Sequence, residues 1–426
     1  MTEPTTGHAR WGMVLLLAAT ATAAYLCRVN ISVAGALVMQ EYGLTQVQMG
    51  RVFSAFLLGY TLFMLPGGLL ADTWGARRTL AVLAWGWVAV TVLQAGVVSG
   101  TGGGGSALTV LAMLMGLRFV MGVLASPTYP AAVQGVARWV PASAHGLANG
   151  LVIGSVGLGS AIAPPFITAV MVPWGWRTAM VASALPAFLI AIVWLFVREP
   201  GPSPARIARE VIRPARAEHE SHAQVVTRLL RVPGFVLLTL SYTLQGYVGY
   251  IFIFWFYLYL VQVRHFTLVQ SAAISSLPWV LSTVSIPLGG VISDRLVRGR
   301  LGLIWGRRLV PIVGMGGAGV FISIGAHTTS AWVAALSLAV ATALVLSVEG
   351  PFWSTVAGIA GSRSGTGGAI MNTGCNLGGL ISPMLTPILG EIFGWEPALH
   401  VAAGLSVLAA VAWFWISPAD AASSAR

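Results

Sequence analysis

The sequence has few charged residues and no lysine. Only 8% of its 426 residues are charged, whereas 57% are hydrophobic, and the mean hydropathy is +0.83. A soluble globular domain carries about 25% charged residues, so this chain has too few to cover a water-exposed surface. These values exclude soluble enzymes, nucleic-acid-binding proteins and disordered scaffolds, and they indicate an integral membrane protein.

Cysteine and histidine are also sparse. Cys27 and Cys375 are the only cysteines, and both lie in apolar segments, so we expect two unpaired thiols in the membrane. The seven histidines show no spacing typical of metal ligands, and no nucleophile–base set indicates hydrolysis. We therefore expect no cofactor, no metal site and no enzymatic activity.

The basic residues are distributed unevenly along the chain. All 23 are arginine, and they give a net charge of +11. Most of them fall in segments that we predict to be cytoplasmic, and two, Arg28 and Arg118, lie inside apolar runs. This asymmetry is the positive-inside pattern of a membrane protein, so the net charge does not require a nucleic-acid partner.

Long apolar runs predict the fold class. A bilayer-crossing helix needs about 20 mostly apolar residues, and the runs are continuous, unlike the short alternating strands of a membrane β-barrel. We predict an all-α protein of the inner (plasma) membrane, with twelve transmembrane helices and both termini in the cytoplasm. The predicted spans are residues 11–39, 46–70, 79–99, 107–136, 146–172, 178–197, 233–262, 269–292, 309–325, 331–358, 366–392 and 398–416.

The two halves of the chain repeat each other. Asp72 and Asp294 follow matching Gly-Gly segments, and Gly175 and Gly394 lie in matching aromatic-Gly-Trp triplets. The two aspartates are separated by nearly as many residues as the two glycines are. Two parallel six-helix repeats are typical of alternating-access transporters, whose substrate site lies between the halves. We predict an N-terminal bundle over 1–197, a cytoplasmic linker over 198–231, a C-terminal bundle over 232–416 and a cytoplasmic tail over 417–426.

Charged residues recur in the loops after spans two and eight. Glycines let helices approach closely, and an aspartate there can pair with an arginine or with the N-terminus of a neighbouring helix. We interpret these loops as a cytoplasmic gate, the alternative being a turn with solvated charges. The predicted gate residues are Gly68, Asp72, Gly75, Arg77, Arg78, Asp294, Arg307 and Arg308.

The loop Gly68–Arg78 resembles the signature loop of the major facilitator superfamily. Five other segments make the chain similar to the anion:cation symporter family, which includes bacterial sugar-acid carriers and animal phosphate and vesicular glutamate carriers. The resemblance covers nearly the whole chain and implies transport of a small organic anion, such as a sugar acid or another carboxylate. The five segments are Tyr25–Ala34, Gln48–Gly68, Arg118–Pro130, Trp255–Leu260 and Met371–Pro383.

Arg28 and Arg118 are the candidate anion-binding residues. An arginine at the bilayer centre costs about 3 kcal/mol, and its planar fork can hold a carboxylate or phosphate with two hydrogen bonds. We predict that Arg28 binds the anion and Arg118 supports it, the alternative being structural arginines bonded to carbonyls. The resemblance implies the pocket residues Tyr60, Trp353 and Asn376, and a position inside helices adds Gln245 and Tyr250.

The resemblance also implies acids that this chain lacks. Cys27 stands where the family commonly has aspartate, and Ala125 stands where its proton-coupled members have glutamate. The number of residues between Ala125 and Glu349 is nearly the same as that between the members of the other repeat pairs. Glu349 therefore occupies, in the second half, the position that corresponds to Ala125 in the first. We predict that Glu349 pairs with a cavity arginine and titrates during transport, the alternative being a glutamate that only packs beside Pro351.

Three functional interpretations remain open at this point. The first is a monomeric symporter whose partners are a small organic anion, protons and the lipid bilayer. The second is a facilitator, exchanger or efflux carrier of the same fold without proton coupling. The third is a membrane sensor on a carrier fold, which would normally need a larger signalling domain than the 198–231 linker offers.

Overall fold

Helices make up almost all of the protein. The computed structural model describes residues 7–97, 107–141, 144–197 and 222–417, and no strand occurs among them. The all-α prediction is therefore confirmed for the part of the chain described. The helices are α1 (Gly7–Tyr42), α2 (Gln46–Val97), α3 (Ala107–Ala125), α4 (Thr128–Trp139), α5 (His145–Phe196), α6 (His222–Leu230), α7 (Pro233–Phe254), α8 (Phe256–Gln262), α9 (Leu268–Arg298), α10 (Gly302–His327), α11 (Ala331–Ser347), α12 (Glu349–Ala360), α13 (Ser364–Phe393) and α14 (Trp395–Ala412).

The predicted twelve spans coincide with these helices. The long helices α2 and α5 hold two spans each, and the pairs α3–α4, α7–α8 and α11–α12 each form one span from two helices in series. Within the described residues, nine segments are long and apolar enough to cross a membrane. Two of them have 51 and 50 residues, which is about 75 Å of helix and more than twice the bilayer core.

A glycine divides each long helix into two spans. Gly75 in α2 has φ 79° and ψ 167°, and Gly175 in α5 has φ 80° and ψ 164°. A side chain at such a positive φ is strained, so glycine is required at both kinks. Gly394, the partner of Gly175 in the sequence repeat, has nearly the same geometry, with φ 90° and ψ 162°. The repeat is thus present in the backbone as well as in the sequence.

The chain forms two compact units. The first comprises Met1–Gly43 and Ala55–His219, and the second comprises Leu44–Ser54 and Glu220–Arg426. The predicted 198–231 linker and 417–426 tail fall largely outside the described residues. The described end of that linker contains α6, a nine-residue helix that precedes the first span of the second unit.

Glycines bring helix backbones into contact inside each unit. In the first unit, a Cβ on Gly122 of α3 would overlap the carbonyl oxygen of Phe56 in α2, and one on Gly59 would overlap that of Phe119. In the second unit, Gly289 of α9 lies in the same way against the carbonyl of Ser347. Helices in lipid associate by such close packing, because lipid tails provide no hydrophobic drive between them.

The contact at Gly122 gives a test of this packing. We expect Gly122→Ala to lower the melting temperature in detergent, because the added methyl group forces α3 away from α2, at a cost of about 1–3 kcal/mol. Gly116→Ala in the same helix is the matched control, since nothing lies within 4 Å of its added Cβ. Equal melting temperatures for the two variants would contradict the packing described here.

Candidate functional site

Arg28 lies among aromatic rings in the first unit. Its side chain is buried, with 5% of the residue exposed, and its Nη1 donates a hydrogen bond to the hydroxyl of Tyr25 at 3.1 Å. The guanidinium carbon is 5.0 Å from the ring centre of Tyr25, 4.7 Å from that of Phe56 and 5.6 Å from that of Tyr60. Such cation–π contacts are each worth about 0.5–2 kcal/mol. They hold the cation in place without neutralising it.

This arginine faces a small cleft. The cleft is narrow, with about 20 Å³ of space open to a water molecule, and the predicted pocket residue Tyr60 also lines it. Ala125 lies in its wall as well, so the position where the resemblance implies a glutamate is beside Arg28 and carries only a methyl group. The complete lining is Ala24, Tyr25, Arg28, Phe56, Tyr60, Trp87, Met121, Ala125, Thr128 and Tyr129.

Arg118 lies behind Arg28 and holds its backbone. The residue is fully buried; Nη2 donates to the carbonyl oxygen of Arg28 at 2.6 Å and Nη1 to that of Cys27 at 3.4 Å. Its guanidinium carbon is 5.2 Å from the ring centre of Phe56, so this ring contacts both arginines. These bonds to backbone carbonyls are the contacts of the structural arginine considered as the alternative, and a role of Arg118 in supporting the anion stays a prediction.

The side chain of Cys27 contacts α5 rather than the cleft at Arg28. Its Sγ donates to the carbonyl oxygen of Ser183 in α5 at 3.7 Å, and Asn30, one turn on, donates to the hydroxyl of the same serine at 3.0 Å. Both cysteines of the chain are free thiols, as expected. Because Cys27 packs between α1 and α5, it does not line the cleft at Arg28.

Glu349 is the centre of a second group, in the second unit. Its Oε2 accepts hydrogen bonds from the hydroxyl of Tyr242 at 2.8 Å and from Nε1 of Trp353 at 3.2 Å. Its Oε1 accepts one from Nε2 of Gln245 at 3.0 Å. These three partners, on α7 and α12, are neutral, so the expected pairing of Glu349 with a cavity arginine stays a prediction. The predicted residues Gln245 and Trp353 both belong to this group.

Tyr250 and Asn376 form a third group beside it. The hydroxyl of Tyr250 donates to Oδ1 of Asn376 at 3.1 Å, and Nδ2 of Asn376 donates to the carbonyl oxygen of Asn372 at 2.9 Å. Cys375, next to Asn376 on α13, reaches the previous group, because its Sγ donates to Oε1 of Gln245 at 3.7 Å. The polar residues predicted on α7 and α13 thus form one patch with Glu349.

The predicted gate residues of the second unit include an ion pair. Nη1 of Arg307 lies 2.6 Å from Oδ1 of Asp294 and donates to Oγ of Ser293 at 3.1 Å, so the pair joins the end of α9 to the start of α10. Arg308 instead donates to the carbonyl oxygen of Ile416 at 2.7 Å, beyond the end of α14.

In the first unit the described hydrogen bonds of Asp72 and Arg77 join them to other helices. Asp72 accepts a hydrogen bond from Gln134 of α4. Arg77 donates to the carbonyl oxygens of Trp194 at 3.3 Å and Leu195 at 2.6 Å, at the end of α5. The gate function itself stays a prediction. The other predicted gate residues here are the half-buried Gly68, Gly75 at the kink and the exposed Arg78.

Two of the cleft residues missed from the sequence contact the guanidinium of Arg28 itself. Tyr25 and Phe56 contact Arg28 as closely as the predicted Tyr60 does. For Tyr25 a local signal exists, because a residue three positions before Arg28 lies on the same helix face. Phe56 is one turn before Tyr60 on α2, so the same rule would have found it once Tyr60 was chosen.

Arg118 provides a test of the division between positioning and binding. We expect Arg118→Ala to lower the melting temperature more than Arg28→Ala, because it removes two charged hydrogen bonds between α3 and the backbone of α1, each worth about 1.5–3 kcal/mol, and leaves a cavity where a fully buried side chain was. Thermal unfolding of the two variants in the same detergent measures the difference. A larger loss for Arg28→Ala would contradict this assignment of roles.

The sequence is similar to those of transporters that are named for organic acids. The family model of the Major Facilitator Superfamily matches residues 16–367. A probable sulfoacetate transporter of Cupriavidus necator is 31% identical, covering 93% of this chain and 91% of the relative. A probable galactarate/D-glucarate transporter of Bacillus subtilis is 27% identical over 94% and 90%, and a D-galactonate transporter of Escherichia coli is 26% identical over 96% and 95%.

Solved structures share the fold. A bacterial homologue of the human lysosomal transporter Spinster, in an inward-facing and unoccupied conformation, matches with a TM-score of 0.79 at 18% identity over 98% of both chains. A D-xylose-proton symporter matches with a TM-score of 0.74 at 17% identity over 96% of this chain and 98% of the other. With the family match and the curated relatives, it follows that this chain belongs to the Major Facilitator Superfamily and is a multi-pass membrane secondary transporter rather than an enzyme.

Proposed function

We propose that the protein carries a small organic anion across the cell inner membrane by alternating access, and that Arg28 binds this anion. The observation that carries the proposal is the buried guanidinium of Arg28 in the wall of a cleft. The relatives support it, because the transporters similar to this chain are named for sulfoacetate, galactarate, glucarate and galactonate, all of which bear a carboxylate.

The charge balance of the first unit favours an anionic ligand. Its described part holds two carboxylates, Glu41 and Asp72, and these bond to Arg177 and Gln134 respectively. Arg28 and Arg118 place two buried guanidinium groups at this end of the unit, in a medium of low dielectric constant where a charge interacts strongly with an incoming ion of opposite sign. A carboxylate or sulfonate gains more from these charges than a neutral solute does.

The geometry at Arg28 suits a planar anion. Aromatic rings lie over the guanidinium, and the N–H groups point along its edge, which is the direction of the bond to Tyr25. A carboxylate that approaches this edge can accept two parallel hydrogen bonds. The residues Tyr60, Tyr129 and Thr128 line the same cleft, and their hydroxyls can bond to hydroxyl groups of a sugar acid.

We propose further that the protein works as a monomer with both termini in the cytoplasm. The support for this orientation is the arginine content near Asp294, since cytoplasmic loops are rich in basic residues.

The test of anion binding uses three probes: sulfoacetate, D-glucarate and D-galactonate. We expect at least one to raise the melting temperature of the purified protein, and Arg28→Gln to weaken that binding on the order of 30- to 100-fold, as for the loss of a charged hydrogen bond. Uptake of the same anion into proteoliposomes should fall in parallel. The matched control is Arg298→Gln, at an exposed arginine of α9.

Two outcomes would contradict parts of this proposal. If none of the three anions stabilises the protein while hydrophobic cations do, the protein is a carrier of another substrate class. If Arg28→Gln binds and transports the anion as well as the unchanged protein does, the anion site lies elsewhere.

We propose that Glu349 carries the coupled proton. Two donors point at its Oε2 and one at its Oε1, an arrangement that fits a carboxylate, which only accepts hydrogen bonds. A proton added to Oε2 makes that oxygen a donor, so the hydroxyl of Tyr242 and the indole of Trp353 can no longer both bond to it as they do. Protonation therefore changes the contacts between α7 and α12, which is what coupling requires.

A glutamine substitution tests this coupling. We expect Glu349→Gln to abolish the acceleration of anion uptake by an inward proton gradient, because the amide does not exchange a proton at this site, while exchange of anion across the vesicle membrane continues. The matched control is Glu391→Gln, at an exposed glutamate of α13. Proton-driven uptake that is unchanged in Glu349→Gln would show that Glu349 has no role in coupling.

Anion exchange without protons is the second candidate function. The observation in its favour is Ala125, which lines the cleft at the position where the resemblance implies a proton-carrying glutamate. Vesicles of the unchanged protein, preloaded with the same anion, distinguish the two mechanisms. Uptake stimulated by internal anion and insensitive to the proton gradient supports exchange, whereas uptake driven by the gradient supports symport.

A further inference from the structure

Two histidines and a glutamate meet at one end of the second unit. His327 is the last residue of α10, and Glu396 and His400 lie one turn apart in the first two turns of α14. Nδ1 of His327 is 2.8 Å from Oε1 of Glu396, and Nε2 of His400 is 3.8 Å from the same oxygen. The expectation of no metal site came from sequence spacing, in which these two histidines are far apart.

The three side chains have the spacing of metal ligands. All their ligand atoms lie within 4.8 Å of one another. A tetrahedral zinc ion with bonds of 2.0–2.1 Å separates its ligand atoms by about 3.4 Å, and the two measured distances lie on either side of this value. We propose that His327, Glu396 and His400 bind a divalent transition-metal ion of the zinc class and that the ion joins α10 to α14.

The two helices form a rigid support for this site. Oγ of Ser406 in α14 donates to the carbonyl oxygen of Met315 in α10 at 2.7 Å. A Cβ on Gly319 would lie 2.7 Å from Cγ2 of Val407 and 3.0 Å from the carbonyl oxygen of Ala403, so the helices are in close contact. Ligands on helices fixed in this way need little rearrangement to bind an ion, which favours affinity.

The end of α10 is also fixed from the other side. Arg264 donates to the carbonyl oxygens of Gly325 at 2.7 Å and of Thr328 at 2.8 Å, and to the hydroxyl of Tyr259 at 2.7 Å. The backbone on both sides of His327 is therefore held in position. The imidazole ring itself stays accessible, with 83% of the side chain exposed.

The ligand set selects the type of ion. Two imidazoles and one carboxylate suit zinc, copper, nickel or cobalt, whereas calcium needs six to eight oxygen ligands. The positive charge of Arg264 nearby repels any cation, so the ion must gain its binding energy from strong bonds to imidazole nitrogen. Because the three side chains are solvent-exposed, water can complete the tetrahedron.

The site lies far from the arginine-rich end of the same unit. The 26 residues of α10 extend over about 39 Å, with Arg307 near the start of the helix and His327 at its end. In the orientation proposed above, the metal site therefore faces away from the cytoplasm. The ion would stabilise the second unit at that face, independently of what the protein transports.

Cobalt absorption in detergent tests the site. The purified protein must carry no polyhistidine tag, since a tag binds the same ions. We expect one Co²⁺ per chain with the intense visible absorption of tetrahedral cobalt, its displacement by Zn²⁺, and a rise in melting temperature with Zn²⁺. His400→Gln and His327→Gln should each abolish the absorption and the rise.

Two controls separate this result from other effects. His265→Asn changes an exposed histidine of the same unit that has a positive φ of 57°, which asparagine tolerates, and it should leave binding unchanged. Arg28→Gln should also leave it unchanged, so the metal site and the anion proposal fail separately. Absence of the tetrahedral spectrum, or an equal spectrum in His400→Gln, would overturn the metal site and leave a hydrogen-bonded Glu396–His327 pair.

Discussion

The proposed anion site depends on the bonds that Arg118 makes to the backbone of α1. A guanidinium fully buried in a membrane protein needs partners for its N–H groups, and Arg118 finds them in the carbonyl oxygens of Cys27 and Arg28. These bonds fix the part of α1 from which the side chain of Arg28 extends. One buried arginine therefore determines where the other presents its charge, and Phe56 lies against both.

The fold was largely predictable from the sequence because lipid imposes simple rules. Apolar run length predicted twelve spans, and the glycine-containing repeat marked the boundary where α5 kinks, since only glycine readily adopts a φ near 80° at Gly175. Depth within an apolar run was enough to select Arg28 and Arg118, because a charge in a span is costly and therefore carries information. Each of these features depends only on residues that are close together in the chain, so it can be read from the sequence alone.

The partners of the selected residues were not predictable in the same way. Glu349 was chosen from its place in the repeat, yet its donors Tyr242 and Gln245 lie on α7, much earlier in the chain. The partner of Asp72 is Gln134, and nothing in the loop itself indicates a glutamine on another helix. Which side chains meet across helices depends on helix rotation and axial shift, which apolar periodicity leaves undetermined.

Gly175 and Gly394 adopt nearly the same backbone angles at matching positions of the two sequence repeats. The residue two positions after each glycine makes a polar contact with a neighbouring helix: Arg177 forms a salt bridge with Glu41, whereas Glu396 pairs with His327. The same turn therefore positions a cation in one half and an anion in the other, so the fold fixes where this side chain lies and leaves the sign of its charge open.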